Sequence, residues 1–233
     1  MSNVKDDRGY NQGYSLEGSS EVRLRRRAEW IAQCMRSDVS ESVLEIGCGR
    51  GEVSFWLAEQ TGKKVLGTDL CVPFIEGAQK NFVLPNLQYE VLDFNNPEKV
   101  SGRTFDYITG NGILHHLYYK LPEALQTLRS LLNKNGKLIF MEPNIYNPYC
   151  AVIFNVARDW AHLEPDEMAF SKTFITKLLQ EAGFRNIKVD YKDFLLPGIP
   201  ESFVKPSIVL GDLLEKIPVV KMVSQSLFIE AEK

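Results

Sequence analysis

Cysteine and histidine are scarce in this 233-residue chain, charge is nearly balanced, and no apolar run approaches membrane-spanning length. Each shortage removes a class of explanation. The four cysteines, Cys34, Cys48, Cys71 and Cys150, are scattered and form no C-x-x-C pair. Neither a disulfide framework nor a structural zinc site is expected, and a reducing, cytoplasmic setting fits them. A net charge of −3 provides no basic face, which argues against a nucleic-acid partner. Met1–Ser20 is polar and lacks the apolar core of a signal peptide. Of the three histidines, only His162 lies near the acidic run Glu164, Asp166 and Glu167. That run precedes a helix, whose N-terminus favours acidic side chains anyway, so no metal ion is expected.

What is present is enough apolar material, 44% of the residues, for one α/β domain with a sizeable core. Residues 1–20, rich in Gly, Ser, Asn, Asp and Tyr, read as a flexible arm, and residues 21–233 as the single domain. Glu21–Met35 carries Leu24, Ala28, Ile31 and Ala32 at helical spacing, and its Arg25-Arg26-Arg27 run reads as a solvated helix face. From Ser42 onward, strand-like runs (Val43–Ile46, Lys64–Thr68, Leu87–Leu92, Phe105–Thr109, Lys137–Met141) alternate with helical ones (Glu52–Gln60, Pro73–Phe82, Pro122–Leu132). The alternation predicts a parallel, doubly wound sheet, whose ligands gather at the carboxyl ends of the strands.

Those strand ends carry unusual chemistry. After Val43-Leu44-Glu45-Ile46 comes Gly47-Cys48-Gly49-Arg50-Gly51, glycines at every second position, where main chain can take positive φ and let a ligand approach. A dinucleotide fingerprint would place its third glycine at position 52, which is Glu52, so a pyrophosphate is disfavoured. The acidic Glu45 beside the turn suits a cationic amino-acid ligand, as in S-adenosylmethionine. Asp69, with Leu70 next to it, is placed to accept hydrogen bonds from ribose hydroxyls or to cap the helix starting near Pro73. Asp93 and Phe94 offer a carboxylate for an adenine amino group and a ring for its face. Asn111, within Thr109-Gly110-Asn111-Gly112, borders where the methionine portion would lie.

With these positions in order, the chain resembles the class I S-adenosylmethionine-dependent methyltransferases, and within them the small-molecule and quinone-type subgroup. The match is strongest over about residues 42–141. The resemblance implies a seven-stranded sheet ending in a hairpin with one antiparallel strand. Phe184–Tyr191 and Ser226–Ala231 supply the strand patterns for it, and Lys172–Ala182 with Gly183 a capped helix. It also implies that Glu45, Gly47, Cys48, Gly49 and Gly51 line the methionine and ribose portion, Asp69 binds ribose, and Asp93 contacts adenine.

Methyl transfer needs a base only when the acceptor must lose a proton. His115 and His116, just past the fourth strand, are candidates for that base, or for residues that shape the site. Glu142 and Asn144 are expected at the same rim as substrate contacts, with Tyr149 and Trp160 from the first of two apolar insertions. Tyr14 would come from the arm, folded over the cofactor as a lid. The insertions, about 143–170 and 193–224, are expected to bury one another as a small helical cap over the strand ends. An apolar cap favours a hydrophobic acceptor and allows peripheral contact with a lipid surface. The resulting expectation is methyl transfer from S-adenosylmethionine to a small hydrophobic molecule at oxygen, with carbon or nitrogen as variants. A nicotinamide-dependent oxidoreductase and a noncatalytic cofactor-binding protein are the alternatives.

Overall fold

The short apolar segment Ser42–Ile46 (β1) sits at the centre of a seven-stranded sheet, so both of its faces must be covered. The computed structural model describes residues 18–94, 102–159, 163 and 167–233. In chain order these form α1 (Ser19–Gln33), β1, α2 (Glu52–Thr61), β2 (Lys64–Asp69), α3 (Val72–Asn81), β3 (Leu87–Val91) and β4 (Phe105–Asn111). A 3-10 turn over Leu114–Lys120 leads to α4 (Leu121–Leu131), β5 (Leu132–Pro143), α5 (Pro148–Asn155), α6 (Lys172–Glu181) and β6 (Arg185–Lys192). The chain ends with α7 (Glu201–Leu214), a second 3-10 turn (Val220–Val223) and β7 (Ser226–Glu232).

Strand order is β3-β2-β1-β4-β5-β7-β6. Neighbours from β3 to β5 run parallel, and β7 runs antiparallel to both β5 and β6. The expected single reversed strand is therefore the last one, inserted beside β5. Alternation along the strands builds two cores. Leu44, Ile46, Ile108, Leu138 and Phe140 face Leu125 and Leu128 of α4 and Ile175 and Leu179 of α6. Val43, Val65, Tyr107, Ile139 and Met141 face Ile31 of α1, Leu57 of α2 and Ile75 of α3. Strand order reverses between β1 and β4, which opens a crevice at their carboxyl ends.

Local chemistry sets several boundaries. Ser171 accepts the N–H of Phe174 at 3.2 Å and starts α6, and Asn147 accepts that of Cys150 at 3.1 Å ahead of Pro148 to start α5. β5 begins five residues earlier than the apolar pattern predicts, because Asn135 takes a positive φ of 64° and lets the strand run through Asn135-Gly136.

Three expectations change. Arg27 does not belong to a solvated face: it is buried, and its guanidinium binds Asp193, Asn111 and Ser226. The arm ends sooner than position 20, since Ser19 is buried in α1 and its hydroxyl accepts the N–H of Ile199 at 3.1 Å. The two insertions meet where Asn144 and Asn147 donate to Met222 O, Val223 O and Ser224 O, but they leave much apolar surface uncovered. Phe203, Val209, Leu210 and Leu213 of α7 and Val152 of α5 are exposed, and α5 spans only eight residues. Residues 1–17, including Tyr14, and residues 160–162, including Trp160, lie outside the described part of the chain. Among the described residues no helix is long and apolar enough to cross a membrane. All four cysteines are free.

Candidate active site

The glycine turn forms because β1 must hand over to α2 within five residues. Gly47, Gly49 and Gly51 all have positive φ, with Gly51 at 95° forming the N-cap of α2. Two of the three are packed tightly. A Cβ on Gly47 would stand 2.6 Å from Ile113 Cδ1, and one on Gly51 2.7 Å from the Tyr89 ring. At Gly49 a Cβ would meet nothing within 4 Å. Main chain is thus open to a ligand at Gly49 and closed by protein on either side, which is the shape a nucleoside cofactor requires.

Asp69, at the end of β2, accepts the N–H of Gly49 at 2.8 Å on one oxygen and that of Cys71 at 2.9 Å on the other. Each carboxylate oxygen has two lone-pair sites, so both retain capacity for a further donor. Burial pushes its pKa up, opposed by these main-chain donors. Cys48 is buried in the turn, and its N–H donates to Thr68 O. Leu70, Asp93 and Phe94 are half-buried next to β2 and β3, with Phe94 packed against the larger core.

Glu45 lies deeper than the sequence suggests. It is 1% exposed and takes a short hydrogen bond from the Ser54 hydroxyl of α2. Burial raises its pKa to about 8, with the Ser54 bond opposing and Glu52 and Asp69 adding to the rise. Without a ligand, burial thus favours the protonated carboxyl near neutrality.

Past β4, Gly112 donates to Met141 O at 2.7 Å and the chain turns into the segment bearing both histidines. Glu142, from the end of β5, is not at the rim. It is buried and accepts the N–H groups of Ile113, Leu114 and His115 at 3.0, 2.8 and 3.2 Å, and sits 2.9 Å from His115 Nδ1. Asn144 is likewise withdrawn. It is fully buried, donating to Met222 O and Ser224 O and accepting from Tyr146 N, so it ties the residues just ahead of α5 to the segment before β7. Tyr149 is exposed at the start of α5.

His116 lies 2.9 Å through Nδ1 from Glu167, a buried carboxylate. The two imidazoles lie against one another with centroids 4.1 Å apart and planes tilted by 34°, and Phe154 of α5 meets His115 edge-on. His115, His116 and Glu167 each bring a possible metal-ligand atom to within 4.8 Å of the others. The imidazole contact and the His–Glu contact account for that spacing. Glu167 could not be assigned to a histidine from the chain alone, since 50 residues separate them in sequence. Arg27 left a readable signal, standing three residues after Leu24 and four before Ile31 on the apolar face of α1.

The chain as a whole has relatives among known proteins. A family model described as "Methyltransferase domain" matches residues 21–189. "Probable polyketide synthase 34" of Dictyostelium discoideum is 22% identical over 243 residues, covering 89% of this chain. The chain spans only 8% of the length of that protein. "Aklanonic acid methyltransferase DauC" of Streptomyces sp. (strain C5) is 33% identical over 111 residues, 44% of this chain and 48% of that one. A crystal structure of a SAM-dependent methyltransferase from Archaeoglobus fulgidus superimposes with a TM-score of 0.64 at 20% identity, covering 91% of this chain and 94% of the other. The chain belongs to the methyltransferase domain family and has the fold of a SAM-dependent methyltransferase.

Proposed function

We propose that this chain methylates a small hydrophobic acceptor whose nucleophilic atom must first give up a proton, with His116 as the base. The observation that carries the reading is the His116–Glu167 pair at 2.9 Å. Glu167 accepts the Nδ1 hydrogen, which fixes the tautomer and leaves Nε2 as the acceptor. His115, buried and tied to Glu142, lies against His116 and sets its plane. When bound, S-adenosylmethionine supplies an electrophilic methyl on sulfur and departs as the neutral thioether. The remaining work belongs to the chain: aligning the acceptor and receiving its proton on Nε2.

The open main chain at Gly49 supports a cofactor seat formed by Gly47, Cys48, Gly49 and Gly51, with Asp69 and Leu70 at the ribose. Asp93 and Phe94 take the adenine, while Glu45 and Asn111 lie toward the amino-acid end. Residues 21–233 act as one domain, with segments about 143–170 and 193–224 over the strand ends. Oxygen is the first candidate for the accepting atom. An activated carbon is the second, because the polyketides named for the relatives offer both enolic oxygens and acidic carbons between carbonyls. Outward Phe203, Leu210 and Leu213 support an apolar acceptor and contact with a lipid surface, which vesicle cosedimentation would read.

Screening hydroxylated and 1,3-dicarbonyl compounds by mass shift identifies the acceptor. With it in hand, His116→Ala and Glu167→Gln are expected to lower kcat by about 10²-fold or more with S-adenosylhomocysteine affinity unchanged. Turnover of both variants within a few-fold of wild type would sink the assignment.

A further inference from the structure

Arg27 is a charged side chain on the apolar face of α1, 4% exposed, whose guanidinium meets Asp193, Asn111 and Ser226. Its Nε donates to Asp193 Oδ2 at 2.9 Å, and one terminal nitrogen is 2.8 Å from that oxygen and 2.6 Å from the Ser226 hydroxyl. The other terminal nitrogen donates to Asn111 Oδ1 at 2.9 Å. Burying an arginine at a site where an aliphatic residue would pack costs desolvation, so the arrangement calls for a reason beyond stability.

Asn111 provides one. β1 and β4 run in parallel with Glu45 opposite Thr109, so Asn111 leaves β4 level with Gly47, the first glycine of the turn. Guanidinium nitrogens only donate, so the Asn111 amide must turn its oxygen to Arg27 and present its nitrogen, with two N–H donors, on the other side. Without Arg27 the amide could flip and present an acceptor. Asp193 pairs with Arg27 and also lies 3.5 Å from Arg23, and towards Asn111 the guanidinium acts as an orienting donor.

We infer that Arg27 is a positioning residue, which holds the Asn111 amide so that Nδ2 donates to the carboxylate of the cofactor's amino-acid portion. The inference rests on the proposed cofactor seat. It adds a specific ligand group, the carboxylate, and a residue on α1 that selects for it.

Two ligands test it: S-adenosylhomocysteine, which carries the carboxylate, and 5′-methylthioadenosine, which shares the nucleoside and sulfur but lacks the amino-acid portion. Calorimetry on wild type, Asn111→Ala, Arg27→Lys and Arg27→Met reads both affinities. Asn111→Ala and Arg27→Met are expected to weaken S-adenosylhomocysteine about tenfold or more and leave 5′-methylthioadenosine within about twofold. Arg27→Lys, which keeps one donor, is expected to fall between. Equal losses for both ligands, or none for either, overturn the inference while the seat stands. Failure of wild type to bind either ligand overturns the seat itself. Should Arg27→Met not fold, Asn111→Ala and Arg27→Lys carry the same comparison.

Discussion

Glu142 holds His115 at two points, through its main-chain N–H at 3.2 Å and its ring Nδ1 at 2.9 Å. With the N–H groups of Ile113 and Leu114 on the other oxygen, this one carboxylate anchors the whole start of the histidine segment. His115 is thereby a fixed wall against which His116 lies.

Replacing Glu142 by Gln leaves the size unchanged but substitutes an N–H donor for an oxygen that now accepts. The main-chain donors it faces would be left partly unmatched in a buried site. A loss of about 2–4 kcal/mol is expected, read as a lowered denaturant midpoint, together with a drop in kcat larger than any change in cofactor affinity.

Glu45 makes stability fall as pH rises. Its folded pKa of about 8 stands above the ordinary glutamate value of 4.5, so between those limits the folded state keeps a proton that the unfolded chain has released. Stability from this group is therefore full below the lower limit and lost as pH climbs through the upper one. For ligand-free protein the melting temperature should decline from about pH 5 to about pH 8, and Glu45→Gln should flatten that decline. A wild type whose melting temperature rises over that range would count against it.

Gly49 and Gly51 should respond differently to alanine. Gly51→Ala forces a Cβ to within 2.7 Å of Tyr89 and 2.8 Å of Ala78 at a φ of 95°, and a loss of about 2–5 kcal/mol is expected. Gly49→Ala has open space and carries only the backbone penalty, about 1–2 kcal/mol. Its larger effect should be on S-adenosylhomocysteine binding. Thermal melts with and without that ligand separate the two cases.

Asn144, just ahead of α5, donates two hydrogen bonds to the segment before β7 and accepts a third from Tyr146 N. Asn144→Ala should cost about 2–4 kcal/mol and increase proteolysis between residues 215 and 225, with cofactor affinity little altered. Limited proteolysis followed by mass analysis reads the outcome.

The parallel half of the fold was legible because each strand is a short apolar run closed by a turn signal, and Gly183 and Ser171 mark the ends of α6 as their chemistry requires. β5 extends beyond its apolar stretch because Asn135 can adopt a left-handed conformation, which periodicity does not register. The positions past β1, β2 and β4 could be named from spacing alone, since strand ends converge in a doubly wound sheet. The partners of those positions could not. Glu142 and Asn144 look like rim polar groups in sequence, and only the three-dimensional count of main-chain donors around them explains their burial. Arg27 was hidden for the opposite reason: a run of three arginines suggests solvent, whereas their helical phases differ, and the third points inward to an acid 166 residues away.

That distance along the chain bears on how the protein is made. Arg27 enters early, yet Asp193 and Ser226 follow 166 and 199 residues later, so the segments carrying both must be synthesised before the arginine finds these acceptors. A nascent chain halted before β7 would hold Asp193 but lack the Ser226 hydroxyl, leaving one guanidinium nitrogen short of an acceptor. The full set of acceptors around the guanidinium is thus completed only by the strand that carries Ser226.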